Sequence, residues 1–195
     1  LCISMHWIGQ EEGNEYLSIY LINRAENWNE FLEALKYFIA VSQNIAYADI
    51  DGNIGLVCAG GVPLRKRERY QILLLGDTDE FIWKKVLNVD SLPVIFNPTN
   101  GYVASANNKT ISNYKYHIGT YYSTPYRFER IVKYLNSKEK LSIEDFKNLQ
   151  NDEYSIMAEL FKKNLLGLII DSLRDNAKYH SFLKELKTWD CKMNA

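Results

Sequence analysis

Cysteine, proline and glycine are scarce in this chain: 3, 4 and 10 among 195 residues. Cys2, Cys58 and Cys191 are an odd number with no C-x-x-C spacing, which argues against a complete disulfide framework and a cysteine zinc site. They are expected to be buried thiols acting as small hydrophobes. So few prolines and glycines limit the amount of irregular loop. Neither sign of charge dominates, with 23 Lys+Arg against 24 Asp+Glu and a formal net charge of -1. No strong field therefore directs the chain to nucleic acid or an anionic membrane. Long apolar runs are missing too: Leu165 to Ile170 is the best candidate, against the ~20 residues that a bilayer span needs. The start, Leu1 to Trp7, does not read as a basic-then-apolar leader but as a strand already under way. The end, Trp189 to Met193, stops without a turn or capping signal. The expectation is a piece of a larger fold.

The familiar catalytic signatures are also absent. There is no G-x-S-x-G elbow, phosphate-binding glycine loop, dinucleotide fingerprint or H-E-x-x-H. His6, His117 and His180 are far apart without ligand-like spacing and are read as surface or hydrogen-bonded core residues. Glu11-Glu12 and Asp77, Asp79 and Glu80 read as loop charges. The basic run Arg65-Lys66-Arg67-Glu68-Arg69 reads as a solvated loop, since no aromatic interleaving accompanies it.

What is present is the balance of a globular protein, 47% hydrophobic and 24% charged. Strands are predicted at Leu1 to Trp7 and Leu17 to Ile22. Asn27 with Glu30 is a capping-box pattern, and Trp28, Phe31, Leu32, Leu35, Phe38 and Ile39 follow at helical spacing, predicting a helix over Asn27 to Ala40. Two β-like runs between Gln43 and Gly61 flank Asp51-Gly52, a hairpin-turn pair. Ala46, Ala48, Gly55 and Ala59 leave room there for close packing. Val94 to Phe96 and Gly101 to Ala106 read as short strands around the turn cluster 97–101. Beyond Pro125 four helices are expected. The first carries Phe128, Ile131, Val132 and Leu135, and the second is capped by Ser142. A long, mostly buried third runs through Ile156 to Leu173, and the last carries Phe182, Leu183 and Leu186. The class is α+β, strand-rich over 1–110 and mainly helical over 125–190, with no linker between them.

The positions that stand out chemically are neutral or misplaced by local rules. Ala104-Ser105-Ala106 ends in the pair Asn107-Asn108. A side-chain amide there can donate to a developing oxyanion, or can simply close an Asx-type turn. Arg127 sits in the first turn of a helix, against the dipole, so it serves a partner elsewhere or a surface i,i+3 ion pair.

Taken in order, several motifs resemble the penicillin acylase (penicillin amidase) family. They are Tyr47-Ala48-Asp49-x-Asp51-Gly52-Asn53-Ile54-Gly55, Gly61-x-Pro63-x-Arg65, Asn97-Pro98-x-x-Gly101-Tyr102 with Asn107-Asn108, and Pro125-Tyr126-Arg127-x-x-Arg130-Ile131. Ala25-x-Asn27-Trp28-x-x-Phe31 and Trp189-Asp190-x-x-Met193 extend the match to nearly the whole chain. The resemblance implies an N-terminal-nucleophile hydrolase, an αββα sandwich made by autocatalytic cleavage of a precursor, with this chain a fragment of the large (β) chain and hence a partial sandwich. It implies that Asn107 is the oxyanion-hole asparagine and that Arg127 orients its amide. It further implies that Trp7 and Gln43 belong to the acyl pocket.

The resemblance also implies a nucleophile upstream of Leu1, so the isolated piece is expected to be inactive. Cys2 is not read as its replacement, because its strand lies far downstream of the family's cleavage site. No cofactor is expected. The resemblance leaves calcium open for the parent protein, but the family's calcium-site aspartate is matched here by Tyr116, so this chain does not support it. Tyr70 to Gly76 lacks the family's proline-rich turn. The expected partners are the remaining segments of the same precursor, namely the small chain and the nucleophile-bearing part, together with a small-molecule N-acyl substrate. Neither nucleic acid nor membrane is expected; an isolated piece is expected to expose an apolar face or to bury it in self-association. The reaction implied is cleavage of a linear amide, of the β-lactam side-chain or acyl-homoserine lactone type. The rival is a non-catalytic structural or binding module that keeps the fold. The family resemblance suggests a periplasmic or secreted bacterial protein.

Overall fold

The computed structural model describes residues 2–65, 73–173 and 176–194, with the side chains of 170–172 left aside. The chain divides into two units, one of Leu1–Ser105 with Lys109–Tyr122, the other of Ala106–Asn108 with Ser123–Ala195.

The start of the first unit departs from the expected strand. Residues 2–7 form no strand, and a short 3-10 turn follows at Ile8–Gln10. Ile3 and Met5 stay exposed, so the apolar alternation lacks the paired neighbour that makes a strand. Leu17 to Ile22 is likewise not a strand but part of helix α1, Glu15–Ile22. Its near-continuous apolar run has no period that separates strand from helix. The cap decides: the Asn14 side chain accepts from the Leu17 amide at 3.0 Å.

Helix α2, Trp28–Leu35, starts as the sequence predicts, with the Asn27 side chain accepting from the Glu30 amide at 3.0 Å. It stops before Ala40. The amides of Lys36, Tyr37 and Phe38 bond three residues back, and those of Ile39 and Ala40 turn to the Glu15 carboxylate at 3.0 and 2.8 Å. These bonds, that from Ala40 first, hold the Glu15 carboxyl below its usual range.

Strands β1 (Gln43–Ala48) and β2 (Ile54–Ala59) form the expected antiparallel hairpin. Gly52 takes φ +84 in its turn, and Asp49 accepts from the amides of Asp51 and Asn53. Strands β3 (Val62–Leu64) and β4 (Lys85–Leu87) make a separate two-stranded sheet, and β5 (Val94–Phe96) pairs with β2, giving the order β1-β2-β5. The expected strand over Gly101 to Ala106 does not form. Of the basic run, Arg65 is described and lies 5.3 Å over the Trp83 ring; the rest lies outside the described residues.

The core joins α2 to the three-stranded sheet through Phe31, Leu35, Val57, Ala59 and Val89. Across the sheet, Tyr47, Gly55 and Phe96 stand in one row. The Trp28 indole fills the space above the glycine, 5.1 Å from the Tyr47 ring and 4.6 Å from that of Phe96.

The second unit is helical, as predicted: α3 (Tyr126–Leu135), α4 (Ile143–Gln150), α5 (Ile156–Leu173) and α6 (His180–Thr188). Ser142 caps α4 in a capping box with Asp145. Helix α5 differs from expectation, since Met157, Leu160, Phe161 and Leu168 are exposed and only Ala158 is buried among its described side chains. Its apolar residues occupy more than one side, and the neighbours within the unit cover only part of them. The thiols also divide: Cys191 is buried and Cys58 half-buried, but Cys2 is exposed, because the segment carrying it has no sheet to enter. None of the helices described is long and apolar enough to cross a membrane.

Candidate active site

The site begins with the short loop Ala106–Asn108 and the start of α3. Asn107 has φ 60, in the left-handed region that asparagine tolerates better than other non-glycine residues. That turn is pinned on both sides. The Asn108 side chain accepts from the Ala106 amide at 2.9 Å, and the Asn107 carbonyl accepts from the Ser123 amide at 2.8 Å. Ala106 is buried, whereas Asn107 is exposed.

Arg127, in the first turn of α3, reaches back to this loop. Its Nη2 donates to the Ala106 carbonyl at 2.7 Å and to Asn107 Oδ1 at 2.5 Å. The local rule that made Arg127 unfavourable in a helix's first turn is thereby answered: its partners are a carbonyl and an amide oxygen in a distant loop. A guanidinium has only donors, so the face of the Asn107 amide turned to it must be the oxygen. Nδ2 is left on the other side as the donating end. The nearby positive charge also draws electron density through the amide and makes Nδ2–H a better donor. Such a group can stabilise negative charge developing on a carbonyl oxygen while remaining neutral itself.

Arg130, one turn further along α3, forms a two-point fork with Asp152, Nε to Oδ2 at 2.5 Å and Nη2 to Oδ1 at 3.1 Å. The hydrogen bond from Arg130 holds the Asp152 carboxyl below the usual range. Arg130 also lies 4.6 Å over the Tyr154 ring. The Tyr154 hydroxyl is pushed up to about 12, first by its hydrogen bond with Glu159 and then by burial. Asp152 and Ser123 were not singled out from the sequence. The available signal was the i,i+3 spacing of Arg127 and Arg130, which puts two arginines on one helix face.

Trp7 and Gln43 belong to the first unit. Trp7 is 48% exposed, its amide donates to Gln10 Oε1 at 3.0 Å, and its ring lies against Gly9. Gln43 is exposed at the start of β1, opposite Ala59. Tyr116, at the position expected of a calcium ligand, packs against the apolar cluster of Val62, Leu87 and Leu92. An aromatic ring in that setting does not fit a cation that takes oxygen ligands. Among the described residues, no group of three or more His, Cys, Asp or Glu side chains could hold a metal ion.

Comparison with known proteins agrees with the family resemblance. The chain is 23% identical over 167 residues to penicillin acylase 2 proenzyme of Pseudomonas sp. (strain SE83), covering 85% of this chain and 21% of that protein. It is 35% identical over 92 residues to penicillin G acylase of Escherichia coli, covering 47% of this chain and 11% of that protein. Among solved structures, a thermostable penicillin G acylase from Alcaligenes faecalis shares the fold with a TM-score of 0.71 at 24% identity, covering 91% of this chain and 33% of that one. The chain thus spans about a fifth or less of these two curated relatives. The family model for penicillin amidase matches residues 2–195, and the chain belongs to the penicillin amidase family.

Proposed function

We propose that this chain is the oxyanion-stabilising part of an acylase-type amide hydrolase. The observation that supports this most is the Arg127 Nη2 to Asn107 Oδ1 bond, which fixes the amide with its donor end outward. In the proposed reaction, a nucleophile from another segment of the same precursor attacks the carbonyl of a linear amide. Its own α-amino group serves as base, since a free amine of pKa ~8 can accept a proton near neutral pH. As the carbonyl oxygen gains charge, Asn107 Nδ2 donates to it. Arg127 holds the amide in place before the reaction, so no reorientation is needed as the charge forms.

Trp7 and Gln43 are assigned to the acyl side of the substrate. The exposed indole offers an apolar face for an aryl or alkyl chain, and the carboxamide of Gln43 offers a donor and an acceptor. The substrates proposed are N-acyl compounds, with a β-lactam side-chain amide or an acyl-homoserine lactone as the candidate types. The small chain and the nucleophile-bearing segment are the proposed partners, and export from a bacterial cytoplasm the proposed location.

The test uses the full-length protein and a chromogenic phenylacetyl or fatty-acyl amide. Asn107→Ala is expected to leave KM near its original value and to lower kcat ~10²–10³-fold, the usual effect of losing one oxyanion donor. Unchanged turnover would remove Asn107 from the mechanism. Loss of substrate binding with kcat intact would make it a binding group instead.

A further inference from the structure

Arg127 can hold Asn107 only if the first turns of α3 are themselves held. Arg130 lies three residues on, on the same face of the helix. Its planar fork meets both Asp152 oxygens, at 2.5 and 3.1 Å, with side chains 26% and 13% exposed. A bidentate arginine–carboxylate pair fixes direction as well as distance, which a single surface ion pair does not. The Tyr154 ring, 4.6 Å from the guanidinium, closes a further side.

The corner that carries Asp152 is backed in turn by the segment Trp189 to Met193, a motif with no place in the proposed chemistry. Tyr154 and Lys192 pair as an antiparallel bridge. The Ser155 amide donates to the Cys191 carbonyl at 3.0 Å, and the Met193 amide to the Glu153 carbonyl at 3.1 Å. Lys162 Nζ donates to the Trp189 carbonyl. The Tyr154 amide donates to Asp152 Oδ1 at 3.3 Å, so the carboxylate is oriented from its own chain before it meets Arg130.

We propose that Arg130 and Asp152 are positioning residues for the oxyanion amide. They hold α3 at the rotation and height at which Arg127 grips both Ala106 and Asn107, and they act through Arg127 rather than on substrate. This rests on the role proposed for Asn107. Were the pair only a stabilising contact, its loss would change thermal stability and the amount of folded protein, but not the turnover of each folded molecule.

The experiment compares Asp152→Asn and Arg130→Lys in the full-length protein, alone and combined with Asn107→Ala. Arg130→Lys keeps the charge but loses the planar fork, and it decides the matter if Asp152→Asn does not fold. With active protein counted by burst titration, each single variant is expected to lower kcat on the order of ten-fold, because small misplacement of a catalytic group is costly. KM is expected to stay within about two-fold, since uniform substrate binding is untouched. In the Asn107→Ala background, the same substitutions are expected to cost nothing further, as residues acting through one group are not additive. Full kcat in both single variants, or a loss that multiplies fully with that of Asn107→Ala, would overturn the positioning role. An Asn107→Ala variant with wild-type turnover would overturn the proposed function itself, and the positioning role with it.

Discussion

Replacing Gly55 with alanine tests how the sheet and α2 are fitted together. A Cβ at Gly55 would lie 2.3 Å from Trp28 Cζ3, 2.5 Å from Cη2 and 3.1 Å from the Ile95 carbonyl oxygen. The strand cannot retreat easily, because Gly55 is paired with Tyr47 on one side and Phe96 on the other. The indole cannot swing freely either, since it is stacked on Phe31 and Phe96 and edge-on to Tyr47. Overpacking of this kind costs ~1–3 kcal/mol. Against it stands ~0.4–1 kcal/mol gained by restricting the unfolded chain, as happens wherever glycine becomes alanine. The net expectation is a destabilisation of about 1–2 kcal/mol, read as a lower midpoint in thermal or urea unfolding. Trp28→Phe supplies the control. A smaller ring makes room for the new methyl, so the double variant should lose less than the sum of the singles. A Gly55→Ala protein of equal or higher stability would refute this packing, as would strict additivity with Trp28→Phe.

Two further predictions follow from particular positions. Gly167 lies within α5 with open space where a Cβ would stand, so Gly167→Ala should stabilise by up to ~1 kcal/mol, and a lowered unfolding midpoint would contradict this. The Asp145 carboxyl is held down to about 2, first by the hydrogen bond from Lys138 and then by those from Ser142. A carboxyl depressed in the folded state contributes stability that is present above its unfolded value, 3.8, and is lost as pH falls from there toward 2. The stability deficit of Asp145→Asn in urea unfolding should therefore shrink between pH 4 and pH 2, and a constant deficit would count against the network.

The sequence was most informative where a local signal and the final packing agree. Asn27 with Glu30, Ser142 as a helix cap, and Asp51-Gly52 are self-contained caps and turns, and each stands where its residues predict. The apolar stretches around Ile3 and Ile19 misled because alternation cannot reveal whether a pairing strand exists, and a continuous apolar run has no period. The end of α2 was hidden for another reason. It is set by Glu15, more than twenty residues away, whose carboxylate takes the amides of Ile39 and Ala40. At the candidate site, Asn107 and Arg127 were legible as residues that break local expectation. Their bond and the fork to Asp152 were not, because both join points about twenty residues apart that only the fold brings together.

In the proposed reaction Asn107 binds the charge of the tetrahedral state and not the substrate. The affinity of the full-length protein for a phosphonate mimic of that state measures this most directly, compared between wild type and Asn107→Ala. The affinity for the mimic is expected to fall by the same ~10²–10³-fold as kcat/KM, while that for the product acid stays unchanged. Equal losses for mimic and product, or no loss for either, would contradict it.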